Sequence, residues 1–242
     1  MSKEGEYGGE LSRLRATYAA READPLVRRR ERVQNLGHVF NREQLRHELS
    51  RLIQRYFGGS LAGQRILEVG CGAGAFFEDL QVQGAQPELY WGVDILPDRL
   101  VIAEKRFPAA HFLISSGHQL PFPDANFDLV CQGTMMSSIL DATLKQAIAG
   151  EMDRVLSHGG HILWYDFWVN PTNRKTRGIR RREIRSLFPT YSLEARRVTL
   201  APPVARLLAP HSLTMCRAMA ASPILRTHYL AVLTKARRAR IG

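Results

Sequence analysis

Three glycines follow the first strongly apolar run of the chain at alternate positions, in the segment ILEVGCGAG. Gly70, Gly72 and Gly74 come directly after a strand-like stretch. Glycine lets the backbone turn sharply and approach a ligand that a Cβ atom would hold off. The helix that follows directs its N–H groups and its positive dipole end at the same place. The segment therefore predicts a nucleotide-binding turn, a feature that several classes of nucleotide-binding protein share.

Two carboxylates flank this turn and restrict its ligand. Glu68 lies inside the strand, two residues before Gly70, and Asp94 ends the second strand, 20 residues after Gly74. A carboxylate beside the turn disfavours a pyrophosphate and suits a cationic amine, and an acidic residue ending the second strand is placed for ribose hydroxyls. A ribose, an amine and little negative charge describe S-adenosylmethionine better than a phosphate-bearing nucleotide.

The elements that must position these residues alternate in type. Helical stretches separate strand-like apolar runs, which predicts a mostly parallel sheet covered on both faces. We interpret residues 61–242 as one doubly wound α/β domain, with an N-terminal helical extension over 1–60 and a helical insertion over about 202–222. The predicted strands are 65–70, 89–94, 111–114, 127–132, 161–167, 191–200 and 228–236, and the predicted helices between them are 75–83, 97–106 and 142–156.

Several local signals refine this division. The helical extension covers residues 9–57, with Asn41 as a cap for its second part, and the glycines of SHGG at 157–160 predict a helix end. Extension and insertion are natural lids over a ligand site. On them Tyr18, His211 and Met215 are candidates to face a second ligand, with packing as the alternative.

Composition excludes several classes of protein. Cys71, Cys131 and Cys216 are odd in number and far apart, which argues against a disulfide framework or a zinc site and favours a reducing, cytoplasmic location. The first residues, MSKEGEYGGE, are too polar for a signal peptide. No uncharged run approaches the roughly 20 residues of a membrane span.

The basic residues concentrate in the last third of the chain. The net charge is +11, and residues 161–242 contain 16 basic and three acidic residues. The densest run, NRKTRGIRRREIRSLF at 173–188, is typical of a solvated face, but it could also attract an anionic substrate, a nucleic acid or a membrane surface. No nucleic-acid recognition motif accompanies it, so nucleic acid is the less favoured partner.

Four motifs in order, ILEVGCGAG, WGVDILPDRL, LPFPDANFDLV and EMDRVLSHGGHILWYDF, resemble the class I S-adenosylmethionine-dependent methyltransferases, in particular the small-molecule type 11 group. The resemblance covers about residues 60–170. It implies a Rossmann-like sheet of seven strands, mostly parallel, with the last strand antiparallel at 228–236. It also implies S-adenosylmethionine as the cofactor.

The resemblance assigns a cofactor role to one set of positions. Glu68 and the glycines of the turn would line the methionine end, Asp94 would hold the ribose, Ile95 would pack on adenine, and Gln132 would lie beside the sulfonium. Ser116 stands where the family usually has an acidic contact to the adenine amine, which implies weaker binding by about 0.5–1.5 kcal/mol. The complete set is Glu68, Gly70, Cys71, Gly72, Asp94, Ile95, Ser116, Gly117, His118 and Gln132, and for His118 a plain loop histidine is the alternative.

Asp166 is the candidate catalytic residue. Open α/β sheets bind ligands at the carboxyl ends of their strands, and Asp166 ends the fifth predicted strand. Its carboxylate could orient an attacking hydroxyl or amine, or accept its proton. The alternatives are that it caps a turn or pairs with a nearby arginine.

The leading hypothesis is methyl transfer from S-adenosylmethionine to the oxygen or nitrogen of a small, hydrophobic or anionic acceptor, in bacterial secondary-metabolite, sugar or lipid biosynthesis. Two alternatives remain: an RNA methyltransferase that uses the basic last third, and a non-catalytic cofactor-binding subunit. The oligomeric state, a homodimer included, and the acceptor are left open.

Overall fold

A computed structural model describes residues 7–24, 35–170, 173 and 175–235. The strands are β1 Ile66–Val69, β2 Tyr90–Asp94, β3 His111–Ile114, β4 Phe127–Gly133, β5 Leu156–Phe167, β6 Tyr191–Leu200 and β7 Arg226–Lys235. The helices are α1 Gly8–Ala23, α2 Leu36–Phe57, α3 Ala75–Val82, α4 Pro97–Arg106, α5 Ala142–Val155, α6 Arg181–Leu187, α7 Pro202–Leu208 and α8 Leu213–Ala221.

The strands form one seven-stranded sheet in the order β3-β2-β1-β4-β5-β7-β6. Strands β1 to β5 pair in parallel, and β7 runs antiparallel between β5 and β6. The predicted doubly wound, mostly parallel sheet with an antiparallel last strand is therefore confirmed. Because parallel strands end at the same edge, the carboxyl ends of β1, β2, β4 and β5 meet there.

Side chains of β1 alternate between two apolar layers. Leu67 and Val69 belong to the core cluster that includes Ile148 of α5. Ile66 belongs to the cluster on the opposite face, with Phe77 of α3. Strands buried on both faces give the near-continuous apolar runs that the sequence shows.

The segment Ser157–Gly160 lies within β5 and does not end a helix, so that prediction is wrong. Helix α5 ends at Val155, and Leu156 already has extended dihedral angles. Leu156 pairs with Phe127 of β4, and the register shifts before the next pair, Leu129 with His161. Pairing of Leu156 and His161 with β4 therefore places this segment in an irregular part of the strand.

The N-terminal helices differ in detail from the prediction. Asn35 caps α2, because its Oδ1 accepts the N–H groups of Gly37 and His38 at 3.1 and 3.2 Å. The predicted cap, Asn41, lies inside the helix, buried, and donates to the Leu200 carbonyl at 3.0 Å. That long-range partner is what holds a cap-forming residue within a helix. Of the predicted helical range 9–57, residues 25–34 lie outside the described part.

The insertion of residues 202–222 contains α7 and α8, as predicted. It packs against the start of α2 and the end of β6, in a small apolar cluster with Phe40 and Leu200. His211 and Met215 are both exposed on its surface. Across the described ranges, no helix has the length and apolar character that a membrane crossing requires.

Candidate active site

The glycine turn is held against the neighbouring strand. The N–H groups of Gly70 and Cys71 donate to the Val93 carbonyl at 2.8 and 3.0 Å. Gly70 and Gly72 have φ values of +77° and +53°, a region that residues with a Cβ atom rarely adopt. A Cβ atom on Gly70 would collide with the Met135 side chain. These positions therefore require glycine.

Asp94 joins the turn to the end of β2. Its Oδ2 accepts the Gly72 N–H at 2.8 Å and its Oδ1 accepts the Leu96 N–H at 3.0 Å. The side chain is buried, and burial raises the pKa of Asp94 above its ordinary value. Each carboxylate oxygen has a second lone pair, so each can still accept a hydrogen bond from a hydroxyl group. Cys71 lies between Gly70 and Gly72 in the chain, and burial raises the pKa of its thiol well above its ordinary value.

Glu68 is the second carboxylate that flanks the turn. It is buried among the side chains on the α3 face of the sheet and accepts the Tyr90 hydroxyl at 2.5 Å. Burial raises the pKa of Glu68 to about 8. Tyr90 is a partner that the sequence analysis missed, although it lies within the predicted second strand and opens β2. The contact of Glu68 with the methionine end of a cofactor stays a prediction.

The loop after β3 brings Ser116 and His118 together. Ser116 Oγ lies 2.9 Å from His118 Nδ1, so the serine hydroxyl already has a partner. The buried His118 Nε2 has no hydrogen-bond partner in the described ranges. Gly117 lies between them and donates to Ser115 Oγ at 3.3 Å. Ile95, half-buried after β2, packs against the core cluster of the α5 face.

Gln132 fixes the turn that follows β4. Its Oε1 accepts the N–H groups of Met135 and Met136 at 3.0 and 3.3 Å. The side chain is fully buried, and its Nε2 lacks a hydrogen-bond partner among the residues described. After His118 Nε2, this nitrogen is the second buried one without a hydrogen-bond partner among the described residues at the carboxyl edge of the sheet.

Asp166 holds the same turn from β5. Its Oδ2 accepts the Ser137 N–H at 2.9 Å and its Oδ1 accepts the Phe167 N–H at 2.7 Å. The carboxyl group is fully buried, and burial raises the pKa of Asp166 to about 6. The predicted alternative of a turn-stabilising aspartate matches these contacts, and contact with an acceptor stays a prediction.

Helix α1 docks on the turn that follows β4. Arg13 donates to the Ser138 carbonyl at 2.6 Å, and Glu10 accepts the Leu140 N–H at 2.6 Å. The Tyr18 hydroxyl lies 2.8 Å from Ser138 Oγ, and the Tyr7 ring meets the His118 ring edge-on at 5.0 Å. The sequence analysis missed Glu10 and Arg13, whose spacing of three residues on a helix is the only local signal for them.

Arg99 of α4 connects this helix to the glycine turn. Its guanidinium carbon lies 4.8 Å from the centre of the Tyr18 ring. A Cβ atom on Gly72 would come within 3.2 Å of Arg99 Nη1. Arg99 is a further site residue that the sequence analysis did not single out.

The residues at this edge fit S-adenosylmethionine. Glycine at positions 70 and 72 lets the side chains of Met135 and Arg99 lie close against the turn, and Asp94 offers two lone pairs for a ribose. His118 Nε2 and Gln132 Nε2 are buried polar atoms without partners in the described part of the chain. Such atoms are costly unless a ligand or water satisfies them.

Comparison with known proteins agrees with this geometry. Residues 67–164 match the model of a family described as a methyltransferase domain. The phthiotriol/phenolphthiotriol dimycocerosates methyltransferase of Mycobacterium leprae is 32% identical over 117 residues, 48% of this chain and 41% of the relative. The fatty-acid O-methyltransferase of Mycolicibacterium smegmatis is 36% identical over 106 residues, 43% of this chain and 37% of the relative. The chain thus spans about two fifths of these curated relatives.

A solved structure extends the similarity to the whole chain. The 1,6-didemethyltoxoflavin-N1-methyltransferase of Burkholderia thailandensis, solved with 1,6-didemethyltoxoflavin and S-adenosylhomocysteine, has a TM-score of 0.62 at 16% identity. The alignment covers 98% of this chain and 92% of that one. At this identity the likeness concerns the fold.

The seven-stranded sheet has the fold of the class I S-adenosylmethionine-dependent methyltransferases. Residues 67–164 match the methyltransferase-domain family model, and solved structures with this fold include S-adenosylmethionine-dependent methyltransferases.

Proposed function

We propose that the protein transfers the methyl group of S-adenosylmethionine to the oxygen or nitrogen of a small-molecule acceptor. The observation that carries the proposal is the pair of unsatisfied buried nitrogens, His118 Nε2 and Gln132 Nε2, at the edge where the glycine turn and Asp94 meet. A nucleoside with a charged methionine tail carries the polar groups that can satisfy such nitrogens.

Six of the predicted cofactor residues then have a role in binding. Asp94 would accept the ribose hydroxyls, while Gly70 and Gly72 would allow the backbone to approach the methionine end. Gln132 would present its amide to the sulfonium side, and His118 with Ile95 would face the adenine. S-adenosylmethionine, when bound, supplies a methyl group already activated by a positively charged sulfur, and it leaves as a neutral thioether.

Because the donor is already activated, the protein contributes mainly alignment and exclusion of water. Asp166 would act on the acceptor side, at the end of β5. Its carboxylate holds the Met136–Ser138 turn in place and, if the acceptor reaches it, would accept the proton that the nucleophile loses. Helix α1 would close the site through its contacts with Ser138.

The names of the relatives support a lipid or acyl-type acceptor. One acts on phthiotriol and phenolphthiotriol dimycocerosates and another on a fatty acid. We extend this class of small apolar acceptor to the present chain, within bacterial lipid, sugar or secondary-metabolite biosynthesis.

The basic last third supports a second candidate, methylation of RNA. Residues 161–242 contain 16 basic and three acidic residues, and such an excess attracts phosphates. Binding of RNA with a steep dependence on salt, followed by methylated nucleoside in the digest, would support this candidate over the first.

Calorimetry with S-adenosylmethionine, S-adenosylhomocysteine and NAD tests the cofactor class. We expect the first two to bind and NAD not to bind, and the opposite pattern would contradict the proposal. Release of S-adenosylhomocysteine with a mixed library of lipid, sugar and aromatic acceptors then tests catalysis. A non-catalytic cofactor-binding subunit would bind the cofactor and yield no methylated product.

A further inference from the structure

A groove of about 660 Å³ lies beside the end of β5, between the segment that follows this strand and helix α6. It is outside the set of residues assigned to the cofactor. Its wall combines one aromatic ring with several cationic side chains, and the principal lining residues are Trp168, Asn170, Arg177, Arg180, Arg182 and Glu183.

The aromatic wall is held rigidly. The Trp168 indole N–H donates to the Arg226 carbonyl at 2.7 Å, and the Trp168 backbone N–H donates to the Thr227 carbonyl at 3.0 Å. The guanidinium carbon of Arg197 lies 4.1 Å from the centre of the indole ring. The backbone and the indole ring of Trp168 are therefore both held in place before any ligand arrives.

The charges of the groove are unbalanced. Glu183, the one carboxylate in the lining, already accepts Lys145 Nζ at 3.0 Å and Arg177 Nη2 at 2.8 Å. Arg180 and Arg182 are exposed, and neither forms an ion pair with a carboxylate of the described residues. Two guanidinium groups thus face the groove with their charge available to a ligand.

Neighbouring arginines of the same segment do not share this position. Arg181 donates to the Ala195 carbonyl and lies over the Tyr229 ring at 5.4 Å, so it packs against the sheet. Arg185 is exposed on α6 but does not line the groove. The basic run predicted as a solvated face is therefore divided, and only part of it surrounds a cavity.

The groove adjoins the acceptor side of the candidate active site through one residue. The Ser137 N–H donates to Asp166 at 2.9 Å, and the Ser137 carbonyl accepts the Arg177 N–H at 2.8 Å. A single residue, Ser137, thus connects the buried Asp166 carboxylate to the cationic groove through its backbone.

We propose that this groove binds the anionic group of the methyl acceptor, a phosphate or a carboxylate carried on an aromatic or apolar body. Trp168 would pack against the body, and Arg180 with Arg182 would bind the anion through charge-assisted hydrogen bonds. The proposal rests on the proposed function, because it makes the groove part of the acceptor site.

Titration of the cofactor-loaded protein with phenyl phosphate, benzoate and uncharged benzyl alcohol tests the groove, with NMR of the indole N–H signals as the readout. The chain has three tryptophans, so Trp168→Phe assigns the Trp168 signal by its loss. We expect the two anions to shift that signal in a saturable way, with at least fivefold weaker binding of benzyl alcohol. The ratio of the two anion affinities tells a phosphate site from a carboxylate site.

Substitutions of arginine test which side chains bind the anion. Arg180→Gln with Arg182→Gln should raise the Kd of the preferred anion at least fivefold, while Arg185→Gln on the same helix should leave it within twofold. The Kd of S-adenosylmethionine, measured on the same samples by calorimetry, should not change in any of them.

Equal binding of benzyl alcohol and the anions, no shift of the Trp168 signal, or an equal effect of Arg185→Gln would overturn the proposal. So would tighter binding of a transfer RNA that is lost in the double variant, because the groove would then serve RNA phosphates. Intact cofactor binding in these cases means that only the groove assignment fails, whereas loss of cofactor binding in the parent protein means that the proposed function fails.

Discussion

The hydroxyl groups of Tyr18 and Ser138, 120 residues apart in the chain, lie 2.8 Å from each other and join helix α1 to the turn that follows β4. Arg13 adds a second bond to the Ser138 carbonyl at 2.6 Å. Two buried leucines of the helix, Leu11 and Leu14, belong to the main core cluster. The predicted lid role of the N-terminal extension therefore has definite contacts that can be tested.

Loss of these contacts should loosen α1 without unfolding the domain. Tyr18→Phe combined with Arg13→Gln removes the two hydrogen bonds to Ser138, worth about 0.5–1.5 kcal/mol each, together with the Arg13–Glu10 ion pair, so amide exchange in residues 8–23 should become several-fold faster. Hydrogen–deuterium exchange measures this, and Arg15→Gln, on an exposed position of the same helix, is the control. Unchanged exchange in the double variant would mean that α1 is held by its leucines and by the Glu10 bond to the Leu140 N–H.

Asp94→Ala should weaken the binding of S-adenosylmethionine by on the order of 1–3 kcal/mol, because charge-assisted hydrogen bonds to the ribose are lost. The same change leaves the N–H groups of Gly72 and Leu96 without their acceptor, so the melting temperature should also fall. Calorimetry and thermal melting separate the two effects. Asp98→Ala, exposed on α4, should change neither, and full cofactor affinity in Asp94→Ala would place the ribose elsewhere.

Glu68 should make stability depend on pH. Burial raises the pKa of Glu68 from 4.5 to about 8 in the folded protein. Between these values the folded state keeps a proton that the unfolded state has lost, so this residue lowers the free energy of unfolding as pH rises from about 4.5 to about 8.

The variant Glu68→Gln stays neutral and should lack that decrease. Relative to the parent it should gain on the order of a few kcal/mol between pH 4.5 and pH 8, measured by denaturant unfolding across this range. Glu104→Gln, exposed on α4, should follow the parent. Parallel curves for the parent and Glu68→Gln would show that the buried group does not hold its proton.

Asp166→Asn distinguishes proton transfer from positioning. Burial raises the pKa of Asp166 to about 6, so a base at this position is active above that pH and kcat should rise through it. Loss of this base should lower kcat about 100-fold or more and remove the limb near pH 6, with little change in cofactor Kd. A kcat profile that keeps its limb in the variant would assign Asp166 to holding the Ser137 turn only, and Asp124→Asn, a distant exposed carboxylate, is the control.

Gly37 should be required where α2 crosses α7. A Cβ atom there would lie 2.6 Å from the Ala205 carbonyl carbon and the Arg206 nitrogen, so Gly37→Ala should destabilise the protein by about 1–3 kcal/mol through overpacking. A Cβ atom on Gly150 of α5 would meet no atom within 4 Å outside the backbone of its own helix. Gly150→Ala should therefore stabilise the protein by up to about 1 kcal/mol. Denaturant unfolding of both variants tests the pair, and equal effects would contradict the close crossing.

Most of the framework could be predicted because its signals are local. The alternation of apolar strands with helices and the spacing of Gly70, Gly72 and Asp94 depend on neighbouring residues, and the strands follow that pattern closely. The two misplaced signals, the Asn41 cap and the helix end at SHGG, failed where a distant partner, Leu200 or Phe127, competed with a local preference.

The sequence by itself determined the sheet, the glycine turn and the carboxylates at its borders, since periodicity and turn chemistry act over a few residues. Only the tertiary structure decided that Glu68 pairs with Tyr90, that α1 is anchored at Ser138, and that Arg180 and Arg182 face a groove while Arg181 packs on the sheet. These pairings join residues far apart in the chain, and a local pattern says that a side chain is buried or charged without saying which distant group it will meet.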